Sequence, residues 1–193
     1  MYLAVEAQAS KLATRSLSVL SRAARSLSTA SDAELHYRKL SRMYRLAPVN
    51  AEERYHSRVS VGPRKAVVTA PVRAEYTHSA GGLHGSSYFK MLDDAAFFAA
   101  QSINTEHFVV TTSFTTYITR VVTPDVPHLV STGTVTSATK SLLVAEAVVC
   151  TPDGTEVGRG SGTFMPHPKF RLDMIPVYED PEKHPFTEED TVL

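Results

Sequence analysis

The stretch from His78 to Ser102, HSAGGLHGSSYFKMLDDAAFFAAQS, constrains this chain more than any other part of it. After a glycine-rich turn it continues as a helix built mostly of Tyr, Phe, Met, Leu and Ala. A helix apolar on nearly every side is buried on nearly every side, so the rest of the chain has to enclose it. Lys90, Asp93 and Asp94 interrupt the run. An ionised carboxylate in such surroundings is costly unless it is paired or used.

Spacing separates the two acids. Asp94 sits one turn beyond Lys90, an (i, i+4) pair that reads as a salt bridge near a solvent edge. Asp93 has Phe89, Ala96 and Phe97 as its one-turn neighbours, with Lys90 three residues before it. Desolvation among aromatic rings raises a carboxylate's pKa toward neutrality, as a general base working near pH 7 requires. The plainer alternative for Asp93 is an interface or capping carboxylate bound to backbone N–H groups.

The turn feeding the helix carries chemistry of its own. Gly81 and Gly82 allow backbone geometries closed to other residues, and Gly85 lets a ligand approach where the first helical N–H groups lack partners. That is the makings of an oxyanion site, and a carboxylate two turns further along suits attack of water on a polarised carbonyl. His84 and His78 are candidates to orient the loop or donate to substrate, although a lone histidine is more often structural. Ser86 and Ser87 read as helix-start caps, since no base is placed by sequence to activate either.

Around this helix the chain reads as strand. Val59 to Val61 and Ala66 to Tyr76 precede it, broken at Gly62-Pro63, and segments 108 to 122, 129 to 138, 141 to 151 and 155 to 165 follow, with Pro152-Asp153-Gly154 as a turn. One helix and hairpin-spaced strands make an α+β pattern, an antiparallel sheet curled around a long central helix, and not alternating βαβ units. Gly158, Gly160 and Gly162 lie inside a strand with no helix after them, so they signal close packing rather than a dinucleotide loop. Ser137 to Lys140 spells S-x-x-K but sits at a hairpin without the companion motifs of serine acylases. The histidines show no helical H-x-x-x-H pair and there is one cysteine, so no metal site is implied.

At 193 residues and 42% hydrophobic, the chain can bury one good core. Its formal net charge of zero gives no drive toward nucleic acid or anionic membrane. No apolar run approaches the length of a membrane span, and Cys150 reads as a small core residue rather than half of a disulfide. Residues 1–30 lack acids between Glu6 and Asp32 while carrying Lys11, Arg15, Arg22 and Arg25. This reads as a mitochondrial transit peptide in a eukaryotic chain, or as a flexible extension of a cytoplasmic one. Residues 31–56 hold an S-x-x-E capping box at Ser31 to Glu34 and a stripe of Leu35, Leu40, Met43, Tyr44 and Ala47, an N-terminal helix and linker expected at the domain edge or over a substrate tunnel. The Pro-rich acidic tail, residues 167–193, reads as extended and partly disordered.

Gly81 and His84-Gly85, followed nine residues after the histidine by Asp93, resemble the signature of hotdog-fold acyl-CoA thioesterases, in particular the phenylacetate-pathway (PaaI-type) group. The segment VTTSFTTYITRVV, residues 110 to 122, is similar to the family's strand after the central helix, and the resemblance spans about residues 57–166. By position it implies that the Gly85 N–H binds the thioester oxygen, that Asp93 activates water or attacks, and that Thr111 helps hold the water. Strict strand alternation sets Thr111 on the face opposite Val110, Phe114 and Ile118, so it has to face a partner subunit or follow a bulge. His84 joins the catalytic set, and His78, Gly81, Gly82, Ser86 and Thr112 form the expected substrate-binding set. Where the family often has Asn, this chain has His78, and Ser86 replaces a second motif glycine.

The resemblance implies a thioester hydrolase acting on an acyl-CoA, with CoA as part of the substrate and no cofactor. It also implies a homodimer or homotetramer, since a single unit leaves a sheet edge exposed. Fold alone leaves two other functions open, a noncatalytic acyl-CoA-binding or regulatory module and a hydratase or dehydratase using histidine with acid.

Overall fold

The computed structural model describes residues 31–193. The chain divides into two units, of which the first, Met1–Leu35, is described only over residues 31–35, and those are helical. The helix, α1, continues through residue 45. The targeting segment expected in residues 1–30 lies outside the described residues.

The second unit, His36–Leu193, is a six-stranded antiparallel sheet with one long helix against it. The elements are β1 (Arg58–Gly62), β2 (Lys65–Pro71), α2 (Gly85–Gln101), β3 (His107–Ile118), β4 (His128–Ala138), β5 (Leu143–Cys150), β6 (Glu156–Arg171) and α3 (Pro176–Glu179). Strand order is β1-β2-β4-β5-β6-β3, which leaves β1 and β3 at the edges. Burial alternates along β2 and β5, the period-two signature of strands with one face on a core. This is the hotdog arrangement, α+β with a helix held by a curled sheet.

Small residues set how closely α2 sits. Ala95, Ala96, Ala99 and Ala100 are fully buried, and opposite them a side chain at Gly133 of β4 would land on the Ala95 carbonyl. The GxGxG of β6 also serves packing, because the Phe114 ring lies over Gly160 and Gly162 where any Cβ would stand. Gln101, fully buried at the end of α2, donates to the carbonyls of Asn104 (2.7 Å) and His107 (3.0 Å) and accepts from the Val109 N–H (2.8 Å). That one amide sets the register of β3 against α2.

Three expectations are revised. The strand expected through Tyr76 stops at Pro71, and Ala74–Tyr76 is a short 3-10 turn, since proline supplies no N–H to extend a ladder. Cys150 is half-buried at the end of β5 rather than in the core. The C-terminal tail is folded: β6 runs to Arg171, and residues 172–193 form a strap that packs on α1 and on β1. Arg45 pairs with Asp190, Ser41 donates to the Thr191 carbonyl, and Val192 bridges Val61. Leu40, Met43 and Tyr44 of the expected α1 stripe are buried, while Leu35 is exposed.

Candidate active site

Asp93 lies midway along α2, and its carboxylate meets β3. Thr111 Oγ1 donates to Asp93 Oδ1 at 3.0 Å. The contact depends on a bulge in the β3 and β6 pairing between Thr111 and Ser113. One extra residue shifts the alternation, so Thr111 and Phe114, three positions apart, both face α2. Phe114 packs edge-on against Phe89, with ring centroids 5.7 Å apart.

Burial pushes the Asp93 carboxyl up to about 6, the Thr111 hydrogen bond opposes this, the neighbouring Asp94 adds to it, and Lys90 opposes it. Desolvation is the dominant cause, as the aromatic neighbours on the helix imply. Asp93 Oδ2 has no protein partner among the described residues. A carboxyl so placed exchanges a proton near neutral pH and has an oxygen to do it with.

Asp94 is spent on structure. Lys90 forms an (i, i+4) ion pair with it, and the Tyr44 hydroxyl donates to Asp94 Oδ2 at 2.7 Å. Lys90 Nζ also donates to Asn50 Oδ1 (2.7 Å), which accepts from Ser57 Oγ (2.8 Å), while Asn50 Nδ2 donates to the Tyr44 carbonyl. The network ties α1, the turn at Pro48–Asn50 and the start of β1 to α2. Tyr44 was marked in the sequence only as part of the apolar stripe of α1, and Asn50 and Ser57 carried no motif; their roles follow from burial.

Both acids open onto a cleft of about 540 Å³. Asp93, Thr111, Asp94, Asn50 and the Tyr44 hydroxyl contribute polar groups; the rest of the lining side chains are apolar. Phe97, Phe98 and Phe108 form one side, Met43 and Pro48 another, and Phe170, Ile175 and Val177 come from the end of β6 and the strap. The Phe97 and Phe108 rings are 5.3 Å apart and those of Phe108 and Phe170 5.6 Å, so the aromatic surface is continuous. No sequence signal pointed to the strap as a wall, because its residues are brought in by tertiary packing alone.

The loop residues gather elsewhere. Gly81 has φ +82°, the left-handed geometry expected of it, and its N–H donates to the His78 carbonyl. His78 Nδ1 accepts from the Ala80 N–H, and its ring lies against Gly82, where a Cβ would stand 2.9 Å from Nε2. His84 is the N-cap of α2, with Nδ1 accepting from the Ser86 N–H at 3.2 Å and 2.8 Å from Ser86 Oγ. Gly85 opens the helix, and its N–H has no partner among the described residues. Thr112, the bulged residue, is turned to Thr163 of β6 and not to the cleft.

Thus Asp93 and Thr111 come together, and His78, Gly81, Gly82, His84, Gly85 and Ser86 form a second cluster. Eight residues at 1.5 Å per residue separate Gly85 from Asp93 by roughly 12 Å along the helix. Within one chain, the Gly85 N–H and the Asp93 carboxylate cannot act on one carbonyl.

Residues 80–158 match the family model described as the thioesterase superfamily. The fold resembles that of the Escherichia coli PaaI protein from the phenylacetic acid degradation operon, at 19% identity and TM-score 0.61 over 70% of this chain and 98% of that one. It also resembles a conserved protein of Pseudomonas aeruginosa, at 25% identity and TM-score 0.59 over 66% and 99% of the two chains. A third likeness is to a hypothetical thioesterase of Streptococcus pneumoniae solved with coenzyme A, at 16% identity and TM-score 0.55 over 61% and 91%. No curated protein matches the chain significantly. The helix with its glycine turn and the sheet around it accordingly have the hotdog fold, and residues 80–158 within it are similar to the thioesterase superfamily.

Proposed function

We propose that this protein hydrolyses an acyl-CoA thioester to free acid and CoA, with Asp93 as the group that activates water. The observation that carries this reading is the Asp93 carboxyl itself, held near neutrality by burial and bonded to Thr111 at the polar part of an apolar cleft. The Thr111 hydrogen is given to Asp93, which leaves its hydroxyl oxygen to accept from the attacking water. Water adds to the carbonyl carbon as its proton passes to Asp93, the C–S bond breaks, and the thiolate leaves with that proton. The coenzyme A in the structure of the Streptococcus protein supports a CoA thioester as the substrate class.

The oxyanion donor is assigned to the Gly85 N–H of a second copy, because the same chain's is too far away. β3 is a sheet edge among the described residues, and Tyr117 and Ile118 on it, with Phe89 and Val121 beside it, are exposed apolar groups. A long apolar edge is a template for pairing. Two β3 strands paired about a two-fold axis run antiparallel, and so do the two α2 helices, which brings the start of one toward the middle of the other. His84 and His78 of that copy then position the acyl carbonyl.

Thiol release from a panel of acyl-CoAs, acetyl to palmitoyl with phenylacetyl and hydroxybenzoyl, tests the reading. Turnover falls by about 10²-fold or more in Asp93→Asn, the scale of a lost general base, and much less in Asp94→Asn. Binding without thiol release in the wild type would instead indicate a noncatalytic acyl-CoA-binding protein, and a product with an altered double bond a hydratase.

A further inference from the structure

We propose that acyl selectivity is set outside the matched domain, by the wall that α1 and the C-terminal strap add to the cleft, and that this wall admits neutral apolar tails and rejects tails ending in a carboxylate. This rests on the thioesterase reading of Asp93. With the carbonyl beside Asp93 and Thr111, an acyl tail runs along Phe97 and Phe108 toward Phe170, Ile175 and Val177. Ile175 and Val177 lie beyond residues 80–158, so the wall belongs to this chain's additions to the domain. No Lys, Arg or His lines the cleft. Asp94 is already neutralised by Lys90, Asp93 brings no cation with it, and a tail carboxylate left unpaired among aromatic rings is strongly disfavoured.

The wall is braced from behind. Arg42 of α1, fully buried, donates from Nε to the Val177 carbonyl (2.9 Å) and from its two terminal nitrogens to the carbonyls of Tyr178 and His184. The Phe186 ring stacks on its guanidinium at 4.5 Å, and His36 bonds the Tyr178 hydroxyl at 2.6 Å. Arginine's rigid fork holds three strap carbonyls at once. A wall fixed in this way discriminates by length, because a tail too long for it finds no yielding surface.

The test uses the full chain and S-alkyl-CoA thioethers, methyl to hexadecyl, with one tail ending in a carboxylate. They cannot be hydrolysed, so calorimetric Kd values read the wall without turnover. Affinity is expected to rise with tail length and then stop. Ile175→Trp and Val177→Phe move the limit to shorter tails, with about a 10-fold loss for the longest tail the wild type binds, the scale of a methylene in a pocket. Ile175→Ala and Val177→Ala move it to longer tails. The carboxylate-ended tail binds at least about 10-fold more weakly than the alkyl tail of equal length. The chain has no tryptophan, so Ile175→Trp also brings a lone indole whose emission shifts as a tail covers it. The same length profile in all four folded variants, or equal binding of the carboxylate-ended tail, overturns the proposal. Length-limited thioether binding with no thiol release from any acyl-CoA leaves the wall standing and removes the thioesterase reading. Failure of every thioether to bind overturns both.

Discussion

Asp93 is held in a state that weakens the fold. Its carboxyl is raised from the ordinary range to about 6, so between about pH 4 and 6 the folded chain holds a proton that the unfolded chain has released. Stability from this group therefore falls as pH rises through that window and stays lowered above it. Asp93→Asn removes the charge, and the variant is expected to be more stable than the wild type at pH 8 by on the order of 2 kcal/mol and about equal below pH 4. Urea midpoints measured across that range check it, and a constant difference would mean that the carboxylate is not desolvated. Thr111 works on the same proton. Its hydrogen bond favours the ionised form, so in Thr111→Val the rising limb of kcat/KM against pH moves to higher pH and its plateau drops by about 10-fold, less than for a lost base. Asp93 was legible in the sequence because one-turn spacing surrounds it with Phe89, Ala96 and Phe97. The partner of His84 was not, since a histidine before a helix can cap it or serve a ligand with the same pattern.

The elements were legible to the extent that their signals are local. Apolar character all round marked α2, and alternation with turn residues marked β3 to β6, although β3 ends at Ile118 and β6 runs on to Arg171 rather than ending at 122 and 165. The bulge at Thr112 has no local signature of its own, because it is a property of how β3 pairs with β6. The sequence could state only that Thr111 required either a bulge or a partner subunit. The folded strap was hidden for a related reason: its prolines and acids look disordered, and the bonds that hold it come from other elements, among them Arg42, Arg45 and Ser41 of α1. Gln101 is the element-scale residue that matters most for the site, since it joins the end of α2 to the start of β3. Gln101→Met keeps the volume but leaves the Val109 N–H and two carbonyls without their partner. A cost of about 3 kcal/mol is expected, at roughly 1–3 kcal/mol for each buried polar group left unsatisfied. Because β3 is then free to slip against α2, turnover should fall while α2 stays helical. Circular dichroism with the thiol assay separates this from unfolding, and unchanged turnover in a folded variant would show that Gln101 does not set the register of Thr111.

The whole molecule has to resolve the separation of its two clusters. Roughly 12 Å of helix lies between the Gly85 N–H and Asp93, so the proposed mechanism draws these groups from two copies. Gly85→Pro removes the N–H with little disturbance. Gly85 is the first residue of α2 and proline is favoured there. His84 before it has φ −67° and ψ 143°, as a residue preceding proline prefers, and an added Cβ meets only the Ile118 Cδ1 at 3.3 Å. Gly85→Pro and Asp93→Asn homodimers are each expected to be inactive. In a dimer of one Gly85→Pro chain with one Asp93→Asn chain, one centre carries both lesions. The other pairs an intact Gly85 with an intact Asp93. Random reassociation makes half of the dimers mixed, each with one working centre of two, so the mixture should recover about a quarter of wild-type thiol release. If both groups instead served one chain's own centre, every centre in the mixture would carry one lesion and activity would stay at the level of the parents. Recovery therefore reports directly on whether the acid and the oxyanion donor belong to different copies, and sedimentation of the same samples shows whether it goes with a dimer, as the proposed pairing along β3 requires.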